Sequence, residues 1–263
     1  MFTKFIPIVI LLGSMGQLSA QGNARSFYAF QNGLGFGSEE EQAIFLKKAG
    51  YHGVSQSKKT GEALQKQIDV YQKHGLSVLS VYLDASEKPV KPELFSPLAK
   101  AKGMVELTVR KSTPNTVEAV RETAESAEKL GIKVALYPHH GFVVATTNDA
   151  MELIRKVDHP NLGVMFNLCH FLKNEDPKTL EEAIGKIGPK LYNVSISGAD
   201  TGGKDWGALI KPLGEGDFPV SRVLSALDEI KYTGPVTLQC YAVKGDKKEN
   251  LANSFEAWKK LNQ

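Results

Sequence analysis

Cysteine is scarce, with only Cys169 and Cys240 in 263 residues. That excludes a disulfide-stapled scaffold. A bridge between the two is not expected, because a domain of this size holds its core without one and free cysteine is commonly buried. Neither sign of charge dominates: 32 Lys and Arg stand against 29 Asp and Glu, for a formal charge of +3. The basic residues are scattered, so no stripe for a nucleic-acid backbone is expected. The Gly-rich stretch SGADTGGK lacks the GxxxxGK[ST] spacing of a nucleotide loop. Past residue 20 nothing approaches the roughly 20 apolar residues of a membrane span. Core formers are plentiful, at 42% hydrophobic residues against 23% charged, which suits one large α/β domain and rules out disorder.

The first 20 residues stand apart. MFTKFIPIVILLGSMGQLSA has a basic Lys4, an apolar stretch from Phe5 to Leu12 and a cleavable ending at Leu18-Ser19-Ala20. It reads as a secretory signal peptide cut near Ala20, with an uncleaved anchor as the competing reading. A secreted or periplasmic domain over 21–263 is the expectation.

Apolar runs of strand length alternate with helical patterns along that domain. The expected strands are SFYAFQ, HGVSQ, SVLSVYLD, MVELTVR, KVALYP, LGVMFN, LYNVSIS and PVTLQCY. Helical patterns lie between them, several closing on a glycine (Gly50, Gly75, Gly131, Gly188). Eight strand–helix units predict a closed (β/α)8 TIM barrel, whose site lies at the C-terminal strand ends.

Alternation then selects the residues aimed at that rim. The fifth strand offers Tyr137 and His139, with His140 at the turn; the sixth offers Asn167 with His170 three residues on; the seventh offers Ser195 followed by Asp200; the eighth offers Gln239. The fourth adds Glu106, Thr108 and Arg110. Glu106 and Arg110 are expected to pair along one strand face, and Trp206 to supply a stacking surface. The competing readings are structural: histidines bonded to backbone, a hydrogen-bonded polar plug in the barrel mouth, and a turn-forming Asp200.

LYPHHG, NLCH, SGAD, PLGEGDF and KYTGPVTLQ, in this order, resemble the xylose isomerase-like barrels, the sugar phosphate isomerase/epimerase family. The resemblance implies a divalent ion held by Glu, Asp, His and Glu on the last four strands, with carboxylates moving protons on a sugar. Those positions correspond to Tyr137, Asn167, Ser195 and Gln239, so no metal site of that type is expected and no other cofactor is implied. His170 corresponds to the sugar-contacting histidine, and His139 to a histidine following the first ligand.

The function expected is proton transfer α to a carbonyl of a neutral sugar or keto-sugar, isomerase- or epimerase-like. His170 or His139 would act as base, with Tyr137, Asn167, Gln239 or Arg110 donating to the oxyanion. Elimination or hydration of a keto-glycoside, and a silent carbohydrate-binding barrel, remain as alternatives. So does a metal held by His139, His140 and His170.

Overall fold

The structure, a computed structural model, describes residues 25–262; the expected signal peptide lies outside the described residues. Nine parallel strands form one sheet: β1 (Phe27–Phe30), β2 (Gly53–Ser55), β3 (Ser77–Val78), β4 (Ser80–Asp84), β5 (Met104–Thr108), β6 (Lys133–Leu136), β7 (Leu162–Asn167), β8 (Leu191–Ile196) and β9 (Val236–Leu238). Their order is β3-β2-β1-β9-β8-β7-β6-β5-β4. The two ends of that order are one strand interrupted at Leu79, which changes partner there. Its N–H donates to Val54 (2.7 Å) on one side, while its carbonyl accepts from Met104 (2.8 Å) on the other. Ser57 and Tyr82 complete the seam, Ser57 N donating to Ser80 O and Tyr82 N to Ser57 O. The sheet closes as the expected (β/α)8 barrel.

The strands alternate apolar and polar positions, and closure decides which side each takes. Val105, Leu107, Val134, Leu136, Val164 and Val194 are fully buried beneath the helices. Glu106, Asn193 and Ser80 face inward and meet across the barrel. This interior is therefore more polar than the branched aliphatic layers such barrels usually contain.

The principal helices run Glu39–Ala49, Gly61–Lys73, Thr116–Lys129, Thr147–Val157, Leu180–Ile187, Ser221–Glu229 and Lys247–Leu261. Ser38 and Thr146 open two of them with reciprocal capping boxes to Glu41 and Asp149. Gly50 closes the first at φ +103°, a conformation that side chains avoid. The last helix packs against the outside of β1, where Trp258 stacks on Phe27 at 4.3 Å. Among the described residues no helix is long and apolar enough to cross a membrane. Both cysteines are buried and free.

Candidate active site

Three short helices that periodicity did not reveal shape the C-terminal rim: Gln31–Leu34, Leu168–Asn174 and Trp206–Leu209. The second explains the ending NLCH. Chain extension stops at Asn167, whose side chain accepts from Cys169 N (3.1 Å) and so caps the helix that carries His170 in its first turn.

A cavity of about 840 Å³ opens at this rim, and Arg110, Tyr137, His139, His170, Trp206 and Gln239 all line it. The other expected residues lie behind or beside its wall. Asn167 spends its amide on the cap and on Tyr137 Oη, to which Nδ2 donates (2.8 Å). Ser195 is fully buried, aligned with Asn167 on β7 and Thr237 on β9, and its Oγ has no partner. Asp200 accepts from Lys211 Nζ at 2.6 Å, holding that lysine against the cavity. His140 is exposed, with Nδ1 at 2.5 Å from Asn174 Oδ1 and its ring edge-on to Trp206. The three histidines therefore do not converge on one point as metal ligands would, and no cluster of three or more His, Cys, Asp or Glu side chains among the described residues does so.

The hydrogen bonds of the two lining histidines fix different tautomers. His139 Nδ1 lies 2.8 Å from the carbonyl of His140, which can only accept, so Nδ1 carries the proton and Nε2 keeps its lone pair. His170 Nδ1 accepts from the backbone N–H of His140 (3.2 Å), so in the neutral ring Nε2 carries the proton. The rings lie 4.1 Å apart between centroids. Burial lowers both pKa values, that of His139 below the usual 6.5 and that of His170 to about 3, with the neighbouring histidines adding to the second shift. At neutral pH one ring is a base and the other a donor. In these tautomers His139 keeps a ring lone pair and His170 a ring N–H.

Tyr137 presents its phenol beside them, and burial holds its pKa well above the ordinary value, so it keeps its proton. Gln239 is anchored through Oε1, which accepts from Tyr241 N at 3.0 Å. Arg110 sits at the outer wall over the Phe142 ring. Its expected pairing with Glu106 is not formed: its ion-pair partner is Asp84 at 3.5 Å. Glu106 is instead fully buried, accepting from Ser80 Oγ (2.7 Å), Asn193 Nδ2 (2.9 Å) and Gln56 Nε2 (3.2 Å).

Gln56 and its neighbour Asn32 line the cavity, and sequence reasoning passed over both. Gln56 adopts φ +54° and Ala242, also in the wall, φ +58°. Such left-handed conformations cost non-glycine residues energy and gather at functional sites. An isolated Gln-Ser pair after a strand carries no signal of this. Only the closed barrel places Gln56 over Glu106.

The family model for the xylose isomerase-like TIM barrel matches residues 56–261. An uncharacterised protein of Methanocaldococcus jannaschii is 30% identical over 128 residues, 48% of this chain and 42% of its own length. A D-psicose 3-epimerase of Ruminiclostridium cellulolyticum is 25% identical over 149 residues, 56% of this chain and 46% of its own. The matches thus span less than half the length of these curated relatives. Among solved structures, an L-ribulose 3-epimerase superposes with a TM-score of 0.71 at 16% identity, covering 91% of this chain and 94% of that one. The IOLI protein with a bound zinc atom gives 0.68 at 18% identity, covering 90% and 96%. At such identities the superpositions establish the fold alone.

Proposed function

The chain belongs to the xylose isomerase-like TIM barrel family, and we propose that it transfers a proton α to the carbonyl of a neutral sugar or keto-sugar, without a divalent metal. The observation that carries this reading is the pair of opposite tautomers in one cavity. His139 Nε2 takes the α-proton, and the negative charge that develops on the carbonyl oxygen meets the Nε2–H of His170 and the phenol of Tyr137. Because Tyr137 Oη already accepts from Asn167, its own proton is free to donate. The similarity to ketose 3-epimerases supports a sugar as substrate.

The family metal does not fit the residues present. A phenol, two amides and a serine occupy its expected ligand positions, Tyr137, Asn167, Ser195 and Gln239, and the Asn167 and Gln239 carbonyl oxygens already accept from backbone N–H groups. Hard dications favour carboxylates, and transition metals add imidazole. No step here runs through a metal. Action outside the cytoplasm belongs to the same proposal. It rests on the first 20 residues and ranks neutral sugars above sugar phosphates.

Solvent deuterium incorporation into a panel of ketoses and keto-glycosides, with excess chelator present, tests this. Exchange is expected to survive chelation, to fall by about 100-fold or more in His139→Ala, and to decline in acid with an apparent pKa below 6.5, because protonation of His139 removes the base. Exchange that requires added metal, or persists in His139→Ala, would overturn the proposal.

A further inference from the structure

We infer that the cavity takes a sugar carrying a second ring, a disaccharide or glycoside, with that ring held by Trp206 and Tyr241 at the mouth. The inference rests on the proposed reading of the cavity as a sugar site. Among the Phe, Tyr and Trp side chains of the described residues only two stand out as exposed, Trp206 at 39% and Tyr241 at 51%, and both line this cavity. They lie on the segments that follow the adjacent strands β8 and β9, Trp206 at the start of the helix Trp206–Leu209. Large aromatics left in water are costly unless a partner covers them, and concentration at one opening marks a binding groove.

Size and chemistry point to a second ring. A cavity of about 840 Å³ sits near the top of the roughly 300–1,000 Å³ typical of small-molecule sites, more room than one hexose fills. The groups that can do chemistry, Tyr137, His139 and His170, lie on the inner wall and are buried or half-buried. Trp206 connects the two zones: it packs edge-on to His170 at 5.2 Å and is topped by the Lys173 ammonium at 5.5 Å. A reacting ring set against the histidines would therefore leave its neighbour beside the indole. Asp205, Glu215 and Lys244 also line the cavity and suit hydroxyls better than an apolar protein segment.

Trp206 also supplies the readout. The other tryptophan, Trp258, is buried against Phe27 at the start of β1, away from the cavity, so a change in emission on titration reports the mouth. Lactulose and isomaltulose, each a fructose bearing a second ring, are titrated against free fructose. The disaccharides are expected to bind about tenfold more tightly, a difference of about 1.4 kcal/mol. That advantage is expected to shrink below about threefold in Tyr241→Ala by emission and in Trp206→Ala by calorimetry. Equal affinity for both sugar classes, no binding of either, or an advantage that survives both substitutions would overturn the inference. Deuterium exchange on the same samples separates the two readings. Equal exchange and affinity for fructose and disaccharides sinks the second ring and leaves proton transfer standing; a disaccharide advantage without exchange does the reverse.

Discussion

Glu106 shows what a single residue's surroundings decide. Burial raises its carboxyl from 4.5 to about 7, against the opposing effect of hydrogen bonds from Ser80, Gln56 and Asn193. A folded pKa above the unfolded one means the proton is held more tightly in the fold. The associated stability is complete below about pH 4.5 and is lost as pH rises through about 7. The shift amounts to about 3 kcal/mol at 1.36 kcal/mol per unit. Glu106→Gln, which cannot ionise, is expected to gain stability relative to the wild type as pH rises across that interval. The difference in melting temperature between the two proteins, followed against pH, checks this, and a constant difference would mean the carboxyl titrates normally. The wall residues Tyr137, His139 and Gln239 were legible in the sequence, because strand parity and barrel geometry send a strand's last residues to the rim, and His170 was legible through the resemblance of NLCH to the family motif. Parity also singled out Glu106, but its partners were not legible, since Asn193 lies 87 residues away and only closure brings the two together. The tautomers of His139 and His170 were equally hidden, because each depends on one backbone group of His140.

Strands and principal helices were legible because each carries its own period. The short helices at the rim were not, since four to seven residues hold too little pattern to set them apart from a turn. Glycine shows how an element's neighbours, and not its own sequence, set the effect of a substitution. Gly163 lies inside β7, where an added Cβ would meet Lys190 O at 2.4 Å and the Tyr192 ring at 2.6 Å. The β7–β8 register shifts just beyond it, after Val164. Gly163→Ala is expected to destabilise by about 1–3 kcal/mol through overpacking. Gly185, in the helix Leu180–Ile187, has nothing within 4 Å of the same added atom. Gly185→Ala is expected to stabilise by about 0.5–1 kcal/mol, through helix propensity and a less free unfolded chain. Denaturant midpoints at unchanged slope would report both changes, and equal signs would contradict the packing account.

The whole molecule depends on the seam at Leu79. β3 contributes only two residues to its pairing with β2. Closure therefore rests on the backbone bonds of Ser57, Leu79 and Tyr82 more than on a continuous ladder. Gln56 and Tyr82, which line the cavity, flank these bonds, so opening the seam would displace part of the wall. Global stability and site geometry are thus coupled at one place. If the barrel opens only on global unfolding, the amides of Leu79 and Tyr82 exchange as slowly as those within the β7–β8 ladder. If the seam opens alone, they exchange faster than that ladder, and an occupied cavity slows them selectively because the ligand binds only the closed form. The short β3 and the left-handed Gln56 favour the second course. Residue-resolved hydrogen exchange with and without a bound disaccharide tests it. Seam amides that match the ladder under both conditions would show that the barrel closes as one unit and that its interrupted strand is no weaker than the rest.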